Sequence, residues 1–315
     1  MQDSFNRNID YLRLSITDSC NYRCIYCMDN DGANKRIQDD ILSIEELIDI
    51  SKAAVLCGIR KIRITGGEPL IRKGVLSLCE RIKQINEVEE LNITTNGTGL
   101  YKMATDLKKA GVDRLNISLD TLNEDRFRNI TRIGNLEETL HGIECAIKAG
   151  FNKIKINVVL IGGINDDEIN DFVELTKENP ISVRFIELMP IGPCKKWEKD
   201  RFISTNEVLK QVPELLPDGK DGVASIYKIK DYAGSVGLIS PISHCFCSEC
   251  NRLRVTADGR LIPCLHSDIE YSVRGLSIDE LKNRFIYAIN NKPKEHHIIE
   301  KHVSDNNDCM YNIGG

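Results

Sequence analysis

The sequence predicts an α/β fold, a curved sheet of six parallel strand–helix units around a polar cavity, with an α+β extension closing its open side. Three observations carry this. Apolar and polar residues alternate along short segments, helical patterns lie between those segments, and the regular alternation stops near residue 190. Strands are expected near 11–17, 60–65, 90–95, 113–119, 154–160 and 182–187. Helices are expected over 43–57, 73–86, 100–110, 136–149 and 166–178. The first helix has the clearest start: Ser43 and Glu46 spell a capping box, and Ile44, Leu47, Ile48 and Val55 share one stripe.

The strand composition points to a cavity. Parallel strands covered on both faces by helices read as continuous apolar runs. Here Arg13, Ser15 and Thr17 alternate with apolar residues, as do Lys61, Arg63 and Thr65. Asn116, Ser118 and Asp120 repeat the pattern, and so do Lys153, Lys155 and Asn157. Period two puts each polar set on one face of its strand. A polar face inside a parallel sheet implies a space that a ligand fills. After residue 190 the expected elements are a helix beginning after Ser204, capped with Glu207, and short strands near 224–230 and 252–256. The division expected is 1–190 for the partial barrel and 191–315 for the extension.

The 315 residues carry a formal net charge of −5, with 41% hydrophobic and 28% charged residues. That balance gives no reason to expect a nucleic acid or membrane partner. No signal-peptide pattern opens the chain and no run of 18 apolar residues occurs, so a cytoplasmic protein is expected. Twelve cysteines in a reducing compartment suggest metal chemistry rather than disulfides. Cys57, Cys79 and Cys145 fall in helical patterns and read as small core residues. Cys194, Cys245 and Cys309 have no assigned role, and Cys245 could exchange with Cys247 as a ligand. His296, His297 and His302 show no metal spacing and read as surface residues.

Six cysteines form two groups. Cys20, Cys24 and Cys27 are spaced C-x3-C-x2-C just after the first strand. Thiolates so placed suit an iron–sulfur cluster or zinc. Three protein ligands on a cubane leave one iron open to a small molecule. Cys247, Cys250 and Cys264 make the second group, with Asp258-Gly259 at the turn of a hairpin between the last two. In isolation this segment reads as a zinc ribbon completed by Cys245, His244 or His266. Gly66-Gly67-Glu68-Pro69 follows the second strand, where glycines let the backbone approach a ligand.

With Tyr26 before the last cysteine of its group, the first motif resembles the signature of the radical S-adenosylmethionine superfamily. The run LRLSITDSCNYRCIYCM, KIRITGGEPLIRK, LNITTNG, SLDTLNEDRFRNITR, RFIELMPIG, FCSECNRLR and the terminal Gly314-Gly315 resembles, in order, the GTP 3′,8-cyclases within it. That resemblance implies an incomplete (β/α)6 radical SAM barrel and a lyase of molybdenum cofactor biosynthesis. It implies two 4Fe–4S clusters, one on Cys20, Cys24 and Cys27 and one on Cys247, Cys250 and Cys264. It implies S-adenosylmethionine bound near Tyr26, Gly67, Ser118 and Met189. GTP would meet Arg13, Arg63, Thr94, Lys155, Arg252 and Arg254, with Lys61 and Arg184 as phosphate neighbours. Arg252, Arg254, Gly314 and Gly315 would serve the catalytic step.

The implied reaction abstracts hydrogen from C3′ of the ribose and joins that carbon to C8 of guanine. Its implied partners are an electron donor and a cyclic pyranopterin monophosphate synthase that takes the product. The chain would be a monomer or homodimer. The loop after Cys27 is short for the family. Two other classes remain open on the residues alone: a peptide-modifying radical enzyme with an auxiliary cluster, and a zinc-stabilised binding protein.

Overall fold

The computed structural model describes residues 1–29, 41–296, 298 and 303–314. The loop after Cys27, His297, His302 and Gly315 lie wholly or partly outside them. Six strands alternate with helices through the first part of the chain. They are β1 (Tyr11–Ser15), β2 (Lys61–Thr65), β3 (Glu90–Thr95), β4 (Arg114–Ser118), β5 (Ile154–Leu160) and β6 (Ile181–Glu187). Between them run α1 (Ile44–Leu56), α2 (Val75–Lys83), α3 (Leu100–Lys109), α4 (Glu124–Thr131), α5 (Leu136–Lys148) and α6 (Ile169–Glu174). The later chain adds α7 (Asn206–Gln211), β7 (Leu216–Asp221), β8 (Ala224–Lys228), β9 (Ser235–Ile239), β10 (Arg252–Val255), β11 (Arg260–Ile262) and β12 (Tyr271–Ser272). It ends with α8 (Ile278–Asn290) and the short α9 (Met310–Ile313).

All twelve strands join one sheet in the order β12-β11-β10-β1-β2-β3-β4-β5-β6-β9-β8-β7. From β10 through β6 to β9 every pair is parallel; the outer pairs on both flanks are antiparallel. β12 and β7 do not pair, so the barrel stays incomplete. The extension thus lengthens the sheet at both margins rather than forming a separate layer.

The two strand faces divide the chemistry. Leu12, Leu14, Ile62, Ile64, Leu91, Ile93, Leu115 and Ile117 are buried in the core that the helices share. At about 25 cal/mol per Å2, this face drives the sheet and helices together. The alternate residues turn to the other side. The α1 capping box forms as expected, with Ser43 Oγ accepting from the Glu46 amide at 3.2 Å and Glu46 accepting from the Ser43 amide at 2.8 Å.

Several expectations need correction. The helix expected over 166–178 contracts to Ile169–Glu174. Asn165 is the reason: its side chain accepts from the Ile161 amide and donates to the Asp120 and Val159 carbonyls, which holds a turn where helix would begin. The cap expected at Ser204 and Glu207 does not form as a box; Thr205 is the N-cap and makes no side-chain cap bond. Helices α4 and α8 and strands β7 and β9 were not anticipated. Helix α8 carries the same signal as α1, a Ser277–Glu280 capping box. Strand β9 is masked by Gly237, whose missing side chain leaves room for the Arg184 guanidinium; a Cβ there would lie 2.2 Å from its Nη1.

Candidate active site

The polar strand faces enclose a cavity of about 440 Å3, a size suited to a nucleotide-scale ligand. Both cysteine groups line it. So do Tyr26, Gly67, Ser118 and Met189, and also Arg13, Lys61, Arg63, Thr94, Lys155, Arg184, Arg252 and Arg254. The sequence-derived site residues therefore converge, apart from Gly314, which touches one of them, and Gly315, which is not described.

The first cysteine group sits in the loop after β1, and the Gly-Gly turn after β2 is zipped against that loop. The Gly67 amide donates to the Thr17 carbonyl at 2.7 Å and the Glu68 amide to the Ser19 carbonyl at 2.8 Å. A Cβ on Gly67 would fall 2.3 Å from the Ser19 carbonyl oxygen, so the close approach requires glycine. Buried Glu68 locks the turn by accepting from the amides of Leu70 and Asn96 and from the Thr95 hydroxyl. Burial nevertheless pushes its carboxyl up to about 7. Asn96 donates in turn to Asn21 within the cysteine loop. Tyr26 donates to Asp120 at 2.6 Å, and Asp120 also accepts from the Val159 amide. Burial raises Asp120 to about 6 despite both bonds. Burial pushes the Cys20 thiol up to about 11 and also raises Cys24 and Cys27.

The second group sits at the start of β10 and the end of β11. Gly259, at φ +87, makes the hairpin turn that brings Cys264 back to Cys250. Burial opposes ionisation of Cys250, but Arg252 and Lys292 overcome it and bring the thiol to about 6. Arg252 Nη2 donates to Cys250 Sγ at 3.8 Å, with its guanidinium over the Phe246 ring. Lys292, 3% exposed, donates to the carbonyls of Arg252 and Pro263 and so ties the loop after α8 to both strands of the hairpin. Sequence reasoning missed Lys292, which sits in an unremarkable loop.

Strand register concentrates positive charge. Arg13 on β1 lies level with Arg254 on β10 and Arg63 on β2. Neighbouring strands are about 4.8 Å apart, so three like charges share one row, an arrangement that destabilises a sheet without an anion. Burial and the neighbouring guanidinium groups lower Arg13 well below the ordinary arginine value and bring Arg254 to about 9. Arginine does not surrender its proton in practice, so these shifts express confinement of positive charge. Further along, Lys155 is lowered to about 8 by burial and by Arg184 and Arg114, and burial brings Arg184 to about 10. Asp221, at the end of β7, neutralises part of this end. It lies 2.6 Å from Lys155, 2.9 Å from Arg184 and 3.3 Å from Arg114. Asp221 and Arg114 were also missed: Arg114 opens its strand and Asp221 comes from an unanticipated one.

The cavity fits the groups that its motifs imply. Neither cysteine trio has its three Sγ atoms all within 4.8 Å of one another, as ligands of one small ion would be. Cysteine thiolates are the ligand type that iron–sulfur clusters take. Arg13 Nε, Arg63 Nε, Thr94 Oγ1 and Arg184 Nη1 are buried without a hydrogen-bond partner, all on residues that line the cavity. The tail reaches the same wall: Arg254 Nη1 donates to the Gly314 carbonyl at 2.8 Å. A Cβ on Gly314 would fall 2.6 Å from Thr65 Oγ1 and 2.8 Å from Ser15 Cβ, so this contact admits no side chain. One reading is overturned. His296 is not an ordinary surface residue but lines the cavity, within ligand range of Cys245 and Cys247.

Comparison with known proteins agrees with this architecture. The sequence model of the Radical SAM superfamily matches residues 14–176, and that of Molybdenum Cofactor Synthesis C matches residues 181–298. Among solved structures, Streptococcus suis SuiB bound to its precursor peptide SuiA aligns with a TM-score of 0.61. It has 13% identity and covers 88% of this chain and 64% of that one. Native anSMEcpe with bound AdoMet aligns with a TM-score of 0.59 at 16% identity, over 87% of this chain and 82% of that one. Fold and site thus define a radical SAM enzyme. The GTP 3′,8-cyclase of Alkaliphilus oremlandii is 46% identical, and that of Clostridium botulinum strain Langeland 47% identical, each over the full length of both chains. The chain belongs to the GTP 3′,8-cyclase family, and its cofactors are 4Fe–4S clusters and S-adenosylmethionine.

Proposed function

We propose that this chain converts GTP to (8S)-3′,8-cyclo-7,8-dihydroguanosine 5′-triphosphate, the first step of molybdenum cofactor biosynthesis. The observation that carries the reading is the placement of both thiol trios on one cavity with a row of arginines between β10 and β2. Full-length relatives of the same family support it.

When bound, S-adenosylmethionine and the first cluster would supply a hydrogen-abstracting 5′-deoxyadenosyl radical by one-electron reductive cleavage that releases methionine, and the second cluster would supply a binding site for guanine. Cys20, Cys24 and Cys27 hold the first cluster, and Cys247, Cys250 and Cys264 the second. Tyr26, Gly67, Ser118 and Met189 line the S-adenosylmethionine side. Gly67 lets the backbone close in, while Tyr26, fixed by Asp120, shapes the wall. Arg13, Arg63, Thr94, Arg252 and Arg254 hold the nucleotide, and Lys61, Lys155 and Arg184 take its phosphates. Forked arginine contacts fix the ribose relative to the radical source, which is the protein's main contribution to a radical step. Arg254 positions Gly314 beside the nucleotide. The cavity walls shield the reacting carbon from solvent.

Residues 1–190 would thus generate the radical, and residues 191–315 would present its target. The electron donor is a reductant of low potential, and the product passes to a cyclic pyranopterin monophosphate synthase. Among the described residues no helix is long and apolar enough to cross a membrane. Anaerobic incubation of reconstituted chain with S-adenosylmethionine, dithionite and GTP tests the reading. The expected result is GTP-dependent 5′-deoxyadenosine with an equal yield of cyclised nucleotide. 5′-Deoxyadenosine without any GTP-derived product would overturn it.

A further inference from the structure

Cys245 and His296 have no part in the reaction above, yet His296 lines the cavity wall with Cys247, and Cys245 touches both. Cys245 Sγ lies 3.3 Å from Cys247 Sγ and 3.8 Å from His296 Nε2. Among the described residues this is the one group of three ligand-bearing side chains whose donor atoms all lie within 4.8 Å of one another. A tetrahedral zinc ion, with Zn–S near 2.3 Å and Zn–N near 2.0 Å, brings its ligand atoms to roughly 3.5–3.8 Å from each other. The observed separations lie close to that range. The Cys247, Cys250 and Cys264 trio is spread more widely. All three residues of the compact set are partly exposed, so an ion can reach them. The His296 ring is also braced: it meets the His266 ring edge to face at 4.6 Å, and buried His266 is held by Ser304.

We propose that Cys245, Cys247 and His296 form a binding site for a single zinc-class divalent ion, and that this site and the second cluster compete for Cys247. Binding breaks no covalent bond other than the two S–H bonds, whose protons pass to solvent as the thiolates ligate the ion. A chain holding zinc here keeps Cys247 from the second cluster while Cys20, Cys24 and Cys27 remain available to the first. The site would thus set a checkpoint on cofactor assembly. The competition, though not the ion site itself, rests on the assignment of Cys247 to the second cluster.

The test uses full-length, cluster-free chain under anaerobic conditions, titrated with Zn2+ and with Co2+ as a spectroscopic probe. The expected result is a thiolate-to-cobalt charge-transfer band with tetrahedral ligand-field absorption. Cys245→Ser and His296→Ala should each weaken binding by about 100-fold or more, beyond the 10–100-fold typical of losing a mere supporting contact. Cys250→Ala should leave the spectrum unchanged. Loss of the signal in Cys250→Ala with retention in Cys245→Ser would overturn the site and place the ion on the cluster trio. Unaltered binding in both Cys245→Ser and His296→Ala would overturn it equally. Zinc-loaded wild type should then take up one cluster's iron on reconstitution and Cys245→Ser two. Two clusters in zinc-loaded wild type would sink the competition but leave the ion site, and neither result depends on GTP turnover.

Discussion

The two cysteine trios share one cavity but differ in the charged side chains beside them. Around Cys20, Cys24 and Cys27 the buried ionisable neighbours are Glu68 and Asp120, and burial raises all three thiols. Around Cys250 the neighbours are Arg252, Arg254 and Lys292, and that thiol falls to about 6, whereas burial pushes Cys247 of the same trio up to about 12. The contrast teaches a division of labour. On the assignment proposed above, a centre that holds a cofactor with its own sulfonium cation gains nothing from nearby cations. On the same assignment, a centre that faces a triphosphate is served by cations such as Arg252 and Lys292.

The comparison breaks most directly at the ligands. Cys24→Ala should lose one cluster's iron and abolish 5′-deoxyadenosine formation, by at least about 1,000-fold, because no other group supplies the radical. Wild-type cleavage would dissolve the proposed difference between the centres. Cys250→Ala should also lose one cluster, yet keep S-adenosylmethionine cleavage while cyclised nucleotide disappears; chromatography of both products separates the two cases.

Arg252→Ala with Arg254→Ala tests the cationic side. Each charge-assisted contact contributes roughly 1.5–3 kcal/mol, so kcat/KM for GTP should drop about 100-fold or more with both clusters retained. Iron analysis beside steady-state kinetics checks this. If kcat/KM is unchanged, the charge contrast has no role in substrate binding.

A pH effect is smaller. In the free chain Lys155 titrates at about 8, and a bound phosphate favours its charged form. Affinity for GTP should therefore be full below pH 8 and fall above it, approaching about tenfold per unit, with proton uptake on binding. Calorimetry in buffers of different ionisation enthalpy measures that uptake, and Lys155→Arg should flatten the decline. Smallest is Asp221→Asn. Asp221 carries the charge that a phosphate would replace beside Lys155, Arg184 and Arg114, so GTP binding should tighten about threefold. Weaker binding would mean that Asp221 organises the cations rather than competing for them.

The legible part of the molecule is the part where local pattern and tertiary role coincide. The six strands β1 to β6 were readable because one face packs on helices and the other lines a polar cavity, giving clean alternation at Arg13, Arg63, Asn116 and Lys155. Cys20, Cys24 and Cys27 were readable because the three thiols that share one loop lie close in sequence. Asp221 and Lys292 were not, since each reaches the cavity through long-range strand pairing or loop docking that no local pattern encodes. Gly237 shows the opposite case, where a residue poor for strands is required by the side chain crossing it. His296 was misread because its thiol neighbours, Cys245 and Cys247, lie some fifty residues away in sequence.

Strands β9 and β10 come from the later chain, yet they cap the two sides of the earlier six, on β6 and β1. Cut the chain near residue 190 and both β1 and β6 would present bare rows of amide and carbonyl groups, open to pairing with other molecules. The radical-generating portion expressed alone should therefore aggregate. The two halves of the sequence are bound by backbone hydrogen bonding at both ends, and a stable fragment would need β9 and β10 supplied in trans.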